Sequence, residues 1–179
     1  MITWLGLDSS LAAFGYCAMK ANDATPLEPW IVDAGTWVTK PDPNKKTKAA
    51  DTKRRIAQLA DQLAKLLEQH KPICVFVEGM IFFPRGGLIT AAQLGRVRGM
   101  VDGVCGALRV PVFEFDPKRV KSEISGGQTG ASKADVAARI VRKFPALEGL
   151  DDNATDAAAV AWVGAHLSPL GRPDPELDK

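Results

Sequence analysis

The chain is poor in the residues that build many metal centres and covalent triads. Its two histidines, His70 and His166, stand far apart and belong to no ligand spacing. The three cysteines, Cys17, Cys74 and Cys105, are odd in number, lie inside apolar runs and form no CxxC pair, which argues against a zinc site or a disulfide framework. They read as core thiols. No run approaches the ~20 apolar residues of a membrane span, and no basic segment leads into an apolar stretch with a small-residue cleavage site. A cytoplasmic protein with no membrane partner is expected. Excess charge is lacking too, with a formal net of +2. Its distribution is uneven, because Lys118, Arg119, Lys121, Lys133, Arg139, Arg142 and Lys143 face only Glu123 and Asp135 between positions 118 and 143. That stretch is a local basic field.

What remains is the composition of one globular unit, 179 residues with 46% hydrophobic and 25% charged. Residues 2–8 and 13–19 predict a hairpin, and residues 30–38 a third strand rich in β-branched and aromatic side chains. Residues 40–51 are polar and proline-bearing and read as a surface loop. From Thr52 the apolar positions Ile56, Leu59, Ala60, Leu63, Leu66 and Leu67 recur at helical spacing, with Lys53, Arg54, Arg55, Asp61 and Lys65 assigned to the solvent side. "ICVFV" then predicts a buried parallel strand ending on Glu78. A helix over 88–108, a strand in "VPVFEF" and a short helix in "DPKRVKSEI" follow. "SGGQTGASK" has its Ser and Lys in the wrong order for a phosphate loop and no strand before it. Ser132 and Asp135 read instead as a capping box opening the next helix. A last helix spans about 153–167, and residues 168–179 have the composition of a frayed tail. Strands alternating with helices around a parallel core mean an α/β fold.

Two of these strands finish on an acid. Asp8 and Glu78, at the carboxyl ends of neighbouring strands spaced ~4.8 Å apart, would lie side by side at the edge of the core. Two buried anions repel or share a proton unless a cation is bound between them. "LDDNATDAAAVAWV" brings Asp151, Asp152 and Asp156 to the head of the last helix. Acids and Asn there also serve as caps, so Asp151 to Asn153 carry both readings. Asp156, further along among Ala and Val, is harder to explain as a cap. Three acids at the ends of three apolar elements favour a carboxylate metal site, which suits Mg²⁺ or Mn²⁺.

Four stretches, "WLGLDSSLAAFGYCAM", "VFVEGMIFFPRGGLITAAQLGRVRG", "VPVFEFDPKRVKSEISGGQTGASKADVAARIV" and "DDNATDAAAVAWV", resemble in order the conserved blocks of the RuvC type of Holliday junction resolvase. The resemblance spans most of residues 1–167. It implies an RNase H-like fold, a five-stranded mixed sheet with helices on both faces, in one nuclease domain over 1–167. It further implies a homodimer that cuts four-way junction DNA by paired symmetric nicks, leaving 5′-phosphate and 3′-hydroxyl ends, with Mg²⁺, replaceable by Mn²⁺, as two ions per site. One ion would activate water and the other would stabilise the leaving 3′ oxygen. Carried over by position, Asp8, Glu78 and Asp156 become metal ligands, and Lys121 and Lys133 stand beside the scissile phosphate. This sequence departs from the family twice: Ser9-Ser10 replaces Pro-Gly after the first Asp, and Asn153 occupies the position of an acid or His three before Asp156. Asp152, on the same helical face, is expected to act as the fourth ligand, with Asn153 capping the helix or orienting water. Lys118 and Arg119 extend the DNA-binding surface.

Two further features bear on partners. Phe82 and Phe83 read either as core or, with Arg85 beside them, as a platform stacking on a base near the crossover. Gly95, Gly99, Gly103 and Gly106 cost up to ~1 kcal/mol each inside a helix. Either tight packing on the sheet or a twofold dimer contact would account for them. Two other classes fit parts of the pattern: a protein that holds branched DNA without cutting, and a sugar-kinase or Hsp70-like ATPase lobe.

Overall fold

The computed structural model describes residues 1–22, 25–45, 47–79, 87–127 and 132–168. Phe82, Phe83 and Arg85, and positions 169–179 of the expected tail, lie outside the described residues. Five strands, β1 (Ile2–Asp8), β2 (Ala13–Asn22), β3 (Thr25–Val38), β4 (Cys74–Glu78) and β5 (Val112–Phe115), form one sheet in the order β3-β2-β1-β4-β5. β1 to β3 pair antiparallel, while β4 lies parallel to β1 and β5 parallel to β4. This is the expected mixed sheet. β2 and β3 run further towards their shared turn than the side-chain pattern indicates, since the pairing continues to Asn22↔Thr25 through two register irregularities.

Helices cover both faces. On one side α1 (Lys48–His70) and α2 (Gly87–Ala107) bury Leu59, Leu63, Val97 and Val101 against Leu5, Leu7, Val75 and Val77. On the other, α3 (Pro117–Ser125), α4 (Lys133–Lys143) and α5 (Asp152–Leu167) close over Trp4, Cys17, Met19 and Phe76. The alternation of β1 side chains between these two clusters follows from the period of two along a strand. All three cysteines are free and buried. The capping box between Ser132 and Asp135 is present at the start of α4.

The region read as a loop to residue 51 is too long. α1 begins at Lys48, capped by Thr47 accepting from the Ala50 N–H at 3.1 Å. Asp51, Thr52 and Arg55 are buried rather than solvent-facing. The reason is helical spacing: positions 52, 55, 59, 63 and 66 form one stripe, and Arg55, its charged member, is buried with hydrogen bonds instead of being turned out to water.

α5 lies unusually close to the sheet. A Cβ on Gly6 would come within 2.1 Å of the Ala157 carbonyl oxygen, and one on Gly15 within 2.0 Å of the Asn153 carbonyl oxygen. Only glycine admits this approach. The alanine face of α5 supplies the other half of the fit, and the Trp4 indole N–H donates to the Ala161 carbonyl at 3.1 Å. The head of α5 is thereby fixed against the carboxyl ends of β1 and β4.

Candidate active site

β1 and β4 run parallel with Leu7 opposite Val77, so the next residues along the register are Asp8 and Glu78. Asp156, one turn past Asp152 on α5, meets them from the helix side. The three acids line one cleft of about 320 Å³ together with Lys118 and Lys121 of α3 and Lys133 of α4. Its apolar wall is Val120, Val136, Ala159 and Val160.

α3 and α4 present their lysines through their caps. Asp116 accepts from the Lys118 N–H at 2.7 Å, with Pro117 in the first helical turn. Ser132 places Lys133 at the first position of α4, the positive end of a helix, where a cation is disfavoured. Carboxylates offset this, for Lys133 Nζ stands 2.8 Å from Asp156 and 3.9 Å from Asp152.

Electrostatics divides the acids. Burial raises the Asp8 carboxyl to about 6, with repulsion from Asp156 adding to the shift and Lys133 opposing it. Burial raises Glu78 to about 7, helped by Asp8 and Asp156 and again opposed by Lys133. The hydrogen bond to Asp156 in turn raises the Lys133 ammonium. Among the described residues no three His, Cys, Asp or Glu side chains close into a ready cage. The donor set still fits a hard divalent cation, since half-buried, mutually repelling carboxylates that ionise only with difficulty gain most from an adjacent positive charge.

The remaining expected site residues separate. The Asp152 side chain is 78% exposed and lies outside the cleft lining, within reach of Lys133. Arg119 is exposed on α3 and is likewise not a lining residue. Asp151 is the N-cap of α5, accepting from the Ala154 N–H at 3.0 Å, and the helix starts at Asp152 rather than Asn153. The Thr36 hydroxyl, then Ala154 and Asn153, hold the Asp151 carboxyl below its usual range. Asn153 therefore supports the cap through Asp151. Thr36 and Gly15, which join β2 and β3 to the head of α5, carry no distinctive sequence signal and are evident only once the sheet is assembled.

The comparisons bear on the same arrangement. The sequence model of the family described as "Crossover junction endodeoxyribonuclease RuvC" matches residues 5–164. Proteins of that description from Thermomicrobium roseum and Myxococcus xanthus are 32% and 34% identical to this chain. The first alignment covers 88% of both chains, the second 88% of this chain and 76% of its relative. RuvC of T. thermophilus, solved in complex with a Holliday junction substrate, superposes with a TM-score of 0.76 at 22% identity, over 96% of this chain and 97% of that one. The yeast mitochondrial Holliday junction resolvase gives 0.61 at 16%, covering 89% and 76%. The structural likenesses establish an RNase H-like fold, and the sequence matches decide against an ATPase lobe. This chain belongs to the RuvC family of crossover junction endodeoxyribonucleases, the Holliday junction resolvases.

Proposed function

We propose that Asp8, Glu78 and Asp156 hold divalent metal, Mg²⁺ with Mn²⁺ as substitute and two ions per site, and that the chain uses it to nick opposed strands of a four-way DNA junction symmetrically. The observation that carries this reading is the cleft itself: three acids, two of them difficult to ionise, edged by Lys118, Lys121 and Lys133. When bound, the metal supplies activation of water and neutralisation of charge on the leaving 3′ oxygen. Lys121 and Lys133 draw the phosphate in and offset the charge that grows on it during attack. Val120, Val136 and Val160 keep one wall dry, which strengthens each of these interactions. The products are a 5′-phosphate and a 3′-hydroxyl. Asp152, exposed at the head of α5 and 3.9 Å from Lys133, would serve as a fourth ligand.

The open glycine face of α2 supports a homodimer. Gly95, Gly99, Gly103 and Gly106 have nothing within 4 Å of a would-be Cβ, so packing on the chain's own sheet does not account for them. Their open face admits the same face of a second copy, and a twofold enzyme suits a twofold junction. Lys118 and Arg119 extend the phosphate-binding surface, and on their residue types alone Phe82, Phe83 and Arg85 are assigned to DNA binding. Among the described residues no helix is long and apolar enough to cross a membrane. The site of action is the cytoplasmic nucleoid.

The test is incubation of the purified protein with a labelled four-way junction and with a linear duplex of matching sequence, each with Mg²⁺ and with chelator. Paired, ligatable nicks in the junction alone, abolished by chelator, are expected. Tight junction binding with no cleavage in either Mg²⁺ or Mn²⁺ would mean a protein that holds branched DNA without cutting it.

A further inference from the structure

We propose that Arg55, on the face of the sheet opposite the cleft, is a positioning residue for Asp8. The proposal rests on the reading of Asp8 as a metal ligand. Arg55 is 9% exposed, and its guanidinium is spent on neutral acceptors. Its Nε donates to the Thr39 hydroxyl at 2.8 Å, and one terminal nitrogen donates to the carbonyls of Thr39 at 3.1 Å and Leu11 at 3.3 Å. Asp51, within electrostatic reach, gives its carboxylate to Arg54 at 2.8 Å instead. Burying a cation against neutral acceptors alone is a poor source of stability. A planar fork with fixed donor directions is, however, well suited to setting the relative position of two backbone segments.

The two segments are the turn after Asp8 and the exit from β3. Thr39 completes the junction, with its N–H on the Ala12 carbonyl at 3.0 Å and its hydroxyl donating to the Leu11 carbonyl. Inside the turn, Ser10 donates its N–H to the Asp8 carbonyl at 3.2 Å, and its hydroxyl both accepts from the Ala13 N–H and donates to the Ala13 carbonyl. Two sets of bonds, Arg55 and Thr39 on Leu11 and Ala12, and Ser10 on Asp8 and Ala13, thus hold the same short turn, whose backbone joins them to the residue bearing the carboxylate. No bond in either set involves the cleft or a substrate. Asp8 is the last β1 residue in the register with β2, opposite Gly15, so nothing further along the ladder holds it. Loosening the turn would free the acid to shift, and displacements near 1 Å cost about a hundredfold in a reaction that depends on orientation.

The experiment compares wild type, R55A, R55K and T39V as full chains. It measures Mn²⁺ affinity by the resonance of the free ion, thermal unfolding, junction affinity in chelator, and the single-turnover rate of pre-bound junction started with Mg²⁺. R55A is expected to lose about tenfold or more in both Mn²⁺ affinity and rate, as for residues that orient ligands, with junction affinity in chelator unchanged. R55K, which keeps the charge but not the fork, should lose nearly as much. If R55A does not fold, T39V decides, because it preserves volume and cation while removing the hydroxyl that accepts from Arg55 and donates to the Leu11 carbonyl; a smaller loss in the same two quantities is expected. A variant set that only melts earlier, and binds Mn²⁺ and cleaves like wild type where folded, would overturn the positioning role. Wild-type protein that itself neither binds Mn²⁺ nor cleaves would remove the functional reading, and this inference with it.

Discussion

Asp8 and Glu78 at the strand ends and Asp151, Asp152 and Asp156 at the head of α5 share one corner of the molecule, yet the fold treats the two groups in opposite ways. The strand acids are half-buried at the rim of the core, where desolvation and mutual repulsion oppose ionisation. The first helix acid is neutralised locally, since Asp151 accepts from Thr36 and from the free N–H groups of its own helix and so ionises more readily than usual. Asp156 is paired with Lys133 at 2.8 Å. The difference separates carboxylates that the fold leaves uncompensated from those that it satisfies by itself. Only the former create a demand for an external cation.

The largest expected effect tests the uncompensated pair. Asp8→Asn and Glu78→Gln should each reduce single-turnover cleavage by about a thousandfold or more, several kcal/mol of transition-state stabilisation. Junction binding should be unchanged or tighter, because negative charge facing phosphate has been removed. Either variant cleaving near the wild-type rate would end the metal-site assignment.

Lys133 and Lys121 come next. Lys133 already occupies the place of a cation beside Asp156, so Lys133→Ala should strengthen Mg²⁺ binding while slowing cleavage of bound junction by roughly tenfold to a hundredfold. A lysine that merely attracts DNA would behave differently, lowering affinity and the salt slope with no change in rate. Lys121→Ala allows the same choice at the opposite wall of the cleft. Rates unaltered in both variants would reduce the two lysines to a basic surface.

The pH dependence separates the groups without mutation. Unfolded carboxyls ionise near their ordinary values of 3.8 and 4.5, whereas folded Asp8 and Glu78 hold their protons to about 6 and about 7. Between these limits the unfolded chain binds fewer protons, so their contribution to stability is fully present in acid and is lost as pH rises towards 7. In chelator the melting temperature should therefore carry a falling component over that range, reduced in Asp8→Asn. With Mg²⁺ the fall should be recovered progressively above about pH 6, and cleavage should rise over the same window as protons cease to compete with metal. A Mg²⁺-induced rise in melting temperature that is equal at pH 5 and pH 8 would contradict the burial argument.

Much of this contrast is legible in the sequence, and the exceptions have physical causes. Apolar runs that end on Asp8 and Glu78 announce the strand acids directly, and the Ser132–Asp135 capping box places Lys133 correctly at a helix start. Arg55 goes against its residue type: charged, it lies four before Leu59, on the stripe that faces the sheet. Its partners are the Leu11 and Thr39 carbonyls and the Thr39 hydroxyl, neutral acceptors distant in sequence that carry no charge pattern. The head of α5 is ambiguous for another reason. Acid-rich helix starts satisfy caps and ligate metals with the same residues, and only the approach of Thr36 from β3 distinguishes Asp151 as the cap.

The smallest effects lie at that helix head, where the comparison becomes sharpest. Asp152 is exposed and makes no capping bond in the structure, whereas Asp151 caps and Asn153 steadies the cap. Asp152→Asn should leave stability nearly unchanged and slow cleavage at low Mg²⁺ by about tenfold, with partial rescue by added metal, as expected for an outlying carboxylate ligand. Asp151→Ala should do the reverse, costing about 1 kcal/mol of stability through the lost cap with little change in the metal requirement. Asn153→Ala removes one donor to Asp151 while the Thr36 and Ala154 bonds remain, so it should cost less than Asp151→Ala, on the order of a few tenths of a kcal/mol. Urea unfolding and Mg²⁺ titration of cleavage on the three variants measure both quantities. An inactive Asn153→Ala beside an Asp152→Asn active at every Mg²⁺ concentration would transfer the fourth ligand role to the amide and leave Asp152 as a solvated residue of the first turn.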